Sequence, residues 1–298
     1  MSALVDQPYI LRTSAAADAV PVIVSSPHSG CDYPDAFLAA SRLDAHALRQ
    51  SEDMYVADLF TGAEAADMSL LAARYPRAYV DLNRAPDELE QALFADKLPD
   101  HAAGQSMRAA AGLGTVPRIV AENTPIYNHK LSYADAAKRI ETIYRPYHAC
   151  LSGLMNSRHA KHGFAVLLDA HSMPSQATKL SPRHDVDFVL GNRHGRACAP
   201  WLTGFVREFL LARKWRVGLN NPYAGGYITE QYGAPLQHRH ALQIEINRAA
   251  YMDEQTYEKH AGFARLQADI ADLLQAMAGT ALDMKTHLAA AGEQSAAE

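Results

Sequence analysis

Four short segments of this chain hold the residue types that hydrolytic and metal chemistry use. They are Pro27-His28-Ser29-Gly30, Asp81-Leu82-Asn83-Arg84, Asp169-Ala170-His171-Ser172 and Glu245-Ile246-Asn247-Arg248. Each closes an apolar run, so four strands are expected to deliver His, Asn-Arg, Asp-His and Glu-Arg to one rim. A purely structural rim would show a mixture of Ser, Gly, Asn and Lys instead. Two His from separate strands plus a carboxylate make the three protein ligands of a catalytic zinc site with one open position. His28 alone reads as an ordinary turn residue; His171 is the stronger candidate. Ser172 and the loop after it are expected to orient His171, whereas Asp169, two residues back along the strand, is not. The carboxylate is expected from Glu52 or Asp53 in Ser51-Glu52-Asp53-Met54, whose competing role is to stabilise a helix N-terminus. Glu245 interrupts the apolar run Leu242-Gln243-Ile244-Glu245-Ile246. A buried carboxylate is costly unless paired or used, so Glu245 is either ion-paired with Arg248 or Arg84, or it does chemistry.

The elements that must position these residues follow from pattern. Apolar, β-rich runs at 20–26, 69–73, 78–82, 164–170, 187–191, 215–219 and 241–246 read as strands. They are continuous rather than alternating, which suits strands covered on both faces. Helical patterns fall at about 51–61, 132–158, 194–213 and 255–278, the longest opening on a capping-box pattern at Ser132-Tyr133-Ala134-Asp135. This alternation predicts an α/β fold with a mixed, largely parallel sheet and helices on both sides. In such sheets ligands bind beyond the carboxyl ends of the strands, where the four segments lie. The loop Asn221-Pro222-Tyr223-Ala224-Gly225-Gly226-Tyr227 is either a plain turn or a Tyr-flanked flap over a small substrate. No repeat or Gly/Ser linker divides the chain. One catalytic domain over 1–298 is expected, with its core at about 20–280 and a tail at 289–298 that frays.

Composition removes other classes. The 298 residues are 48% hydrophobic and 20% charged, with net charge −5, values of an ordinary globular protein. Absence of a basic face argues against nucleic-acid binding. Cys31, Cys150 and Cys198 are an odd set without CxxC spacing, so no disulfide framework or cysteine zinc knuckle is indicated. Neither a signal peptide nor a long apolar span is evident, so a cytoplasmic protein away from membranes is expected. The signatures GxxxxGK[ST], GxGxxG, HExxH and GxSxG are all missing. Nothing in the sequence fixes the oligomeric state.

Taken in order, Ser26-Pro27-His28-Ser29-Gly30, Glu52-Asp53, 77–84, Asp169-Ala170-His171-Ser172, 221–227 and Glu245-Ile246-Asn247-Arg248 resemble the N-formylglutamate amidohydrolase family over about residues 20–252. That family is distantly similar to zinc carboxypeptidases and to the succinylglutamate desuccinylase/aspartoacylase group. The resemblance implies a three-layer α/β/α fold of zinc-carboxypeptidase type with one catalytic Zn2+ per chain. It implies His28 and His171 as metal ligands and Glu245 as general base. It also implies Asn83-Arg84 on the substrate α-carboxylate and Arg77 on the scissile carbonyl. Tyr223, Gly225, Gly226, Tyr227 and Arg248 are the further substrate-binding positions. In the carboxypeptidase pattern a Glu ligand follows the first His by three positions; here that residue is Cys31. The family pattern points to Asp53 over Glu52 as third ligand, ahead of a Cys31 thiolate.

The implied activity is zinc-dependent hydrolysis of N-formyl-L-glutamate to formate and L-glutamate, a step of histidine degradation. A substrate with two carboxylates needs a second cation, for which Arg193, Arg248 and His194 all qualify. Two other readings compete: a hydrolase for another N-acyl amino acid or short peptide, and an inactive carboxylate- or peptide-binding protein on the same scaffold. The last needs no buried base, and Glu245 argues against it.

Overall fold

Three apolar runs form adjacent parallel strands. They are β2 (Val22–Ser26), β6 (Ala165–Met173) and β9 (Arg239–Asn247), preceded, separated or flanked by β1 (Tyr9–Thr13), β3 (Ser69–Ala73), β4 (Ile119–Ala121), β5 (Thr124–Pro125), β7 (Phe188–Gly191) and β8 (Val217–Leu219). All of β2 and β6, and all of β9 after Arg239, are buried, which is why these runs are apolar throughout rather than alternating. The computed structural model describes residues 7–14, 20–102, 106–121, 124–179 and 185–296, with side chains described as far as residue 281.

The described strands form a seven-stranded sheet of order β1-β3-β2-β6-β9-β7-β8. The β2–β6, β6–β9 and β7–β8 pairs are parallel and β7–β9 is antiparallel, so the sheet is mixed and mostly parallel, in an α/β fold. Along β6–β9 the register sets Asp169 opposite Gln243 and His171 opposite Glu245. β4 and β5 make a separate antiparallel pair.

The chain divides into two compact units, interleaved in sequence. One comprises Met1–Ile10, Pro27–Met54 and Ala72–Leu151; the other comprises Leu11–Ser26, Tyr55–Leu71 and Ser152–Glu298. The second holds the long central strands, and the helices Pro200–Ala212 and Gly262–Ala296. Helix Pro200–Ala212 buries Leu202, Val206 and Leu210, a one-sided apolar stripe, and Trp215 just beyond it meets Phe188 of β7 edge-on. Helix Gly262–Ala296 takes in most of the segment 289–298.

The first unit is organised around a buried cation. The Arg139 guanidinium lies 4.0 Å from the Tyr79 ring centroid and donates to the Tyr79 carbonyl and the Tyr127 hydroxyl, beside Phe37. Stacking and hydrogen bonding together satisfy a charge that would otherwise be expensive to bury. Arg139 ends the helix Tyr133–Arg139, whose first turn carries the full capping box between Ser132 and Asp135.

Two expected elements differ. Residues 78–82 form a turn rather than a strand: the amides of Tyr79 and Val80 donate to the Pro76 carbonyl, and that of Asp81 to Thr115. The backbone groups are spent locally, so no ladder forms. The stretch 51–61 is not one helix. A 3-10 turn Arg49–Ser51 and the short helix Val56–Leu59 are separated by Tyr55, whose φ of 63° no helix accommodates. Asp81, Asn83, Arg84, Glu52 and Asp53 are therefore all presented from turns. β1 and the β4–β5 pair are short and partly exposed and carry no long apolar run, so pattern alone does not mark them as strands.

Candidate metal centre and active site

His28 sits two residues past β2, in a turn that Gly30 makes feasible, because a Cβ at Gly30 would run into the backbone carbonyl of Tyr75. The His28 carbonyl accepts the Asp53 amide at 2.9 Å, tying the two segments together. Their side chains follow: His28 Nδ1 lies 3.3 Å from Asp53 Oδ2, and Nε2 lies 2.7 Å from Asp81 Oδ1. Asp81 also accepts from Arg77 Nη2 at 2.6 Å and from the Asn83 amide at 2.8 Å. Burial alone would raise the Asp81 carboxyl, but Arg77, His28 and Arg84 outweigh it and hold the group well below the usual carboxylate range.

Glu52, one residue before Asp53, is engaged elsewhere: it accepts from Arg49 at 3.1 Å and from the Tyr33 hydroxyl at 2.5 Å. Burial, then the neighbouring Glu52 charge, push the Tyr33 hydroxyl far above its ordinary range, keeping it a donor. Arg84 is buried, which lowers its pKa against the partly offsetting Asp81 charge. It donates through Nε to Leu113 O and through Nη1 to Asn83 O.

On the central strands, Asp169, His171, Gln243 and Glu245 occupy one face, since residues two apart on a strand point the same way and the two pairs stand in register. His171 Nε2 lies 3.0 Å from Asp169 Oδ2, and Gln243 Nε2 donates to Glu245 Oε1 at 2.7 Å. All four are buried. Asp169 thus meets His171, contrary to the expectation that it would not; the pleat brings residues i and i+2 to one side, within side-chain reach. Gln243 carried no expectation, although its i−2 spacing from Glu245 repeats that of Asp169 from His171.

Beyond β9, buried Arg248 donates through Nε to Ser172 Oγ at 3.1 Å. Arg193 pairs with Glu230 at 2.7 Å, and His194 is exposed. The loop through Tyr223, Gly225, Gly226 and Tyr227 packs close to its neighbours: Gly225 has φ 127°, and a Cβ there would meet Thr229 and Arg193.

His28, Asp53 and His171 offer ligand atoms that all lie within 4.8 Å of one another, and all three residues are buried. Two imidazoles and one carboxylate are the donor set of a three-ligand catalytic zinc site. A carboxylate lies beside the Nε2 of each imidazole, Asp81 at His28 and Asp169 at His171, the outer support that metal-ligating histidines ordinarily have. The residues present therefore fit a zinc ion. Cys31 is exposed and outside this group.

A mixed, mostly parallel sheet and this buried donor set define an α/β protein with a candidate metal centre suited to hydrolysis. Residues 20–252 match the N-formylglutamate amidohydrolase family, and the chain belongs to it. It is 31% identical over 261 residues to an N-formylglutamate deformylase of Pseudomonas aeruginosa, covering 87% of this chain and 90% of the relative. An N-formylglutamate deformylase of Pseudomonas putida is 30% identical over 238 residues, covering 79% and 83%. The crystal structure of N-formylglutamate amidohydrolase from Ralstonia eutropha JMP134 matches with a TM-score of 0.88 at 36% identity, covering 93% of this chain and 99% of that one. A gene product of Agrobacterium tumefaciens shares the fold at TM-score 0.61 and 19% identity, covering 94% and 95%.

Proposed function

We propose that this chain hydrolyses N-formyl-L-glutamate to formate and L-glutamate, with one zinc ion held by His28, Asp53 and His171. The observation that carries the reading is the buried His28–Asp53–His171 group in a chain of this family. When bound, zinc polarises a carbonyl and acidifies a water molecule.

The chain's own residues supply the rest. Glu245 takes the proton of the attacking water and passes it to the nitrogen that leaves, so the new C–O bond forms as the amide C–N bond breaks. Its burial and its bond from Gln243 support this role over a bare surface charge. Arg77, held on Asp81 and partly exposed, is the cation assigned to the scissile carbonyl. Asn83 and Arg84 are assigned to the α-carboxylate. Since Arg84 already spends Nε and Nη1 on backbone carbonyls, its contact runs through Nη2 rather than through a two-toothed fork. Arg248 is assigned to the side-chain carboxylate, because it is the buried one of the three cations considered. Tyr223, Gly225, Gly226 and Tyr227 form the flap over the amino-acid portion. The reaction would serve histidine degradation in the cytoplasm; among the described residues no helix is long and apolar enough to cross a membrane.

The test is formate release from N-formyl-L-glutamate beside turnover of N-acetyl- and N-succinyl-L-glutamate. The formyl compound is expected to be turned over fastest, and Glu245→Gln to fold normally while losing about 10²- to 10⁴-fold in kcat. Equal rates on all three substrates would defeat the deformylase assignment.

A further inference from the structure

The face shared by β6 and β9 carries two pairs, one behind the other. Asp169 and Gln243 stand opposite each other in register, and one pleat further on so do His171 and Glu245. Within each strand the rear residue reaches the front one: Asp169 Oδ2 is 3.0 Å from His171 Nε2, and Gln243 donates to Glu245 at 2.7 Å. We infer that Asp169 and Gln243 form a rear layer of positioning residues, Asp169 fixing the metal-ligating face of His171 and Gln243 fixing the carboxylate of Glu245. This rests on the proposed metal site and base.

Asp169 has no exposed surface. Neither of its oxygens has a hydrogen-bond partner among the described residues; Oδ2 stands 3.0 Å from His171 Nε2 as a close charge contact. Folding alone gives little reason to keep a carboxylate there, since burying an unsatisfied charge is costly and an apolar residue would fill the space at lower cost. A carboxylate beside Nε2 favours the proton on that nitrogen and so directs the Nδ1 lone pair to the ligand position. Gln243 sits in an otherwise apolar stretch of β9 and directs its amide N–H at one oxygen of Glu245. The carboxylate plane cannot rotate without breaking that bond, so Gln243 holds the base in one orientation.

The two residues serve different partners, so their loss separates into two signatures. Asp169→Asn is expected to weaken zinc binding about 10- to 100-fold, measured by competition with a chromophoric chelator, with the melting temperature of the metal-free protein unchanged or raised. Gln243→Leu is expected to leave zinc affinity and KM unchanged and to lower kcat about 10- to 100-fold. Unchanged zinc affinity in Asp169→Asn overturns the role of Asp169. For Gln243, wild-type kcat or a parallel loss of zinc affinity overturns it. A wild-type chain that binds no zinc removes the site itself, an outcome distinct from either variant behaving like wild type.

Discussion

Asp81 joins more of the site than its place in the Asp81-Leu82-Asn83-Arg84 motif implies. One carboxylate receives the His28 ring, the Arg77 guanidinium and the Asn83 amide, so a candidate ligand, a cation and the start of the Asn-Arg pair share one anchor. Histidines, carboxylates and arginines were legible in the sequence because their types are rare at strand ends and chemically explicit. The preference for Asp53 over Glu52 comes from the family resemblance, since the two neighbours are chemically alike; the engagement of Glu52 by Tyr33 and Arg49 supports it. Gln243 is not legible in the sequence, because a neutral amide in an apolar run signals nothing without its partner. Arg248 carries the prediction that belongs at this scale. Arg248→Gln is expected to raise KM for N-formyl-L-glutamate at least about tenfold, a contact to a charged group being worth about 1.5–3 kcal/mol. KM for N-formyl-L-glutamine should change far less; equal changes in both would remove Arg248 from the side-chain subsite.

At the scale of elements, the long buried strands β2, β6 and β9 were readable because continuous apolar runs admit few other structures. The stretch 78–82 has the same composition, yet it turns, because Pro76 and Thr115 take its amide hydrogens; composition cannot report where a backbone donor goes. β9 also carries His240, which accepts from the Ala199 amide at the start of helix Pro200–Ala212 and lies edge-on to Trp201. Burial, with a smaller push from His238, lowers the His240 pKa from 6.5 to about 4. The folded protein therefore binds fewer protons here than the unfolded chain. Stability is intact above about pH 6.5 and is lost as pH falls from there to about 4. Urea midpoints measured from pH 7 to pH 4 should fall less steeply in His240→Gln than in wild type; parallel slopes would contradict a buried neutral imidazole.

For the whole molecule, membership of the family and the buried His28–Asp53–His171 group carry the central proposal, that the chain is a metal-dependent hydrolase of a formylated amino acid. Neither the net charge of −5 nor the composition distinguishes this from other enzymes of the same size; the ordered motifs do, because they fix which side chains meet. The most direct test is metal content of the purified protein together with formate release from N-formyl-L-glutamate before and after chelation. The expected result is about one zinc per chain, as three protein ligands with one open position imply. Activity should disappear on chelation and return on adding zinc. Full formate release from protein stripped of metal would contradict the account.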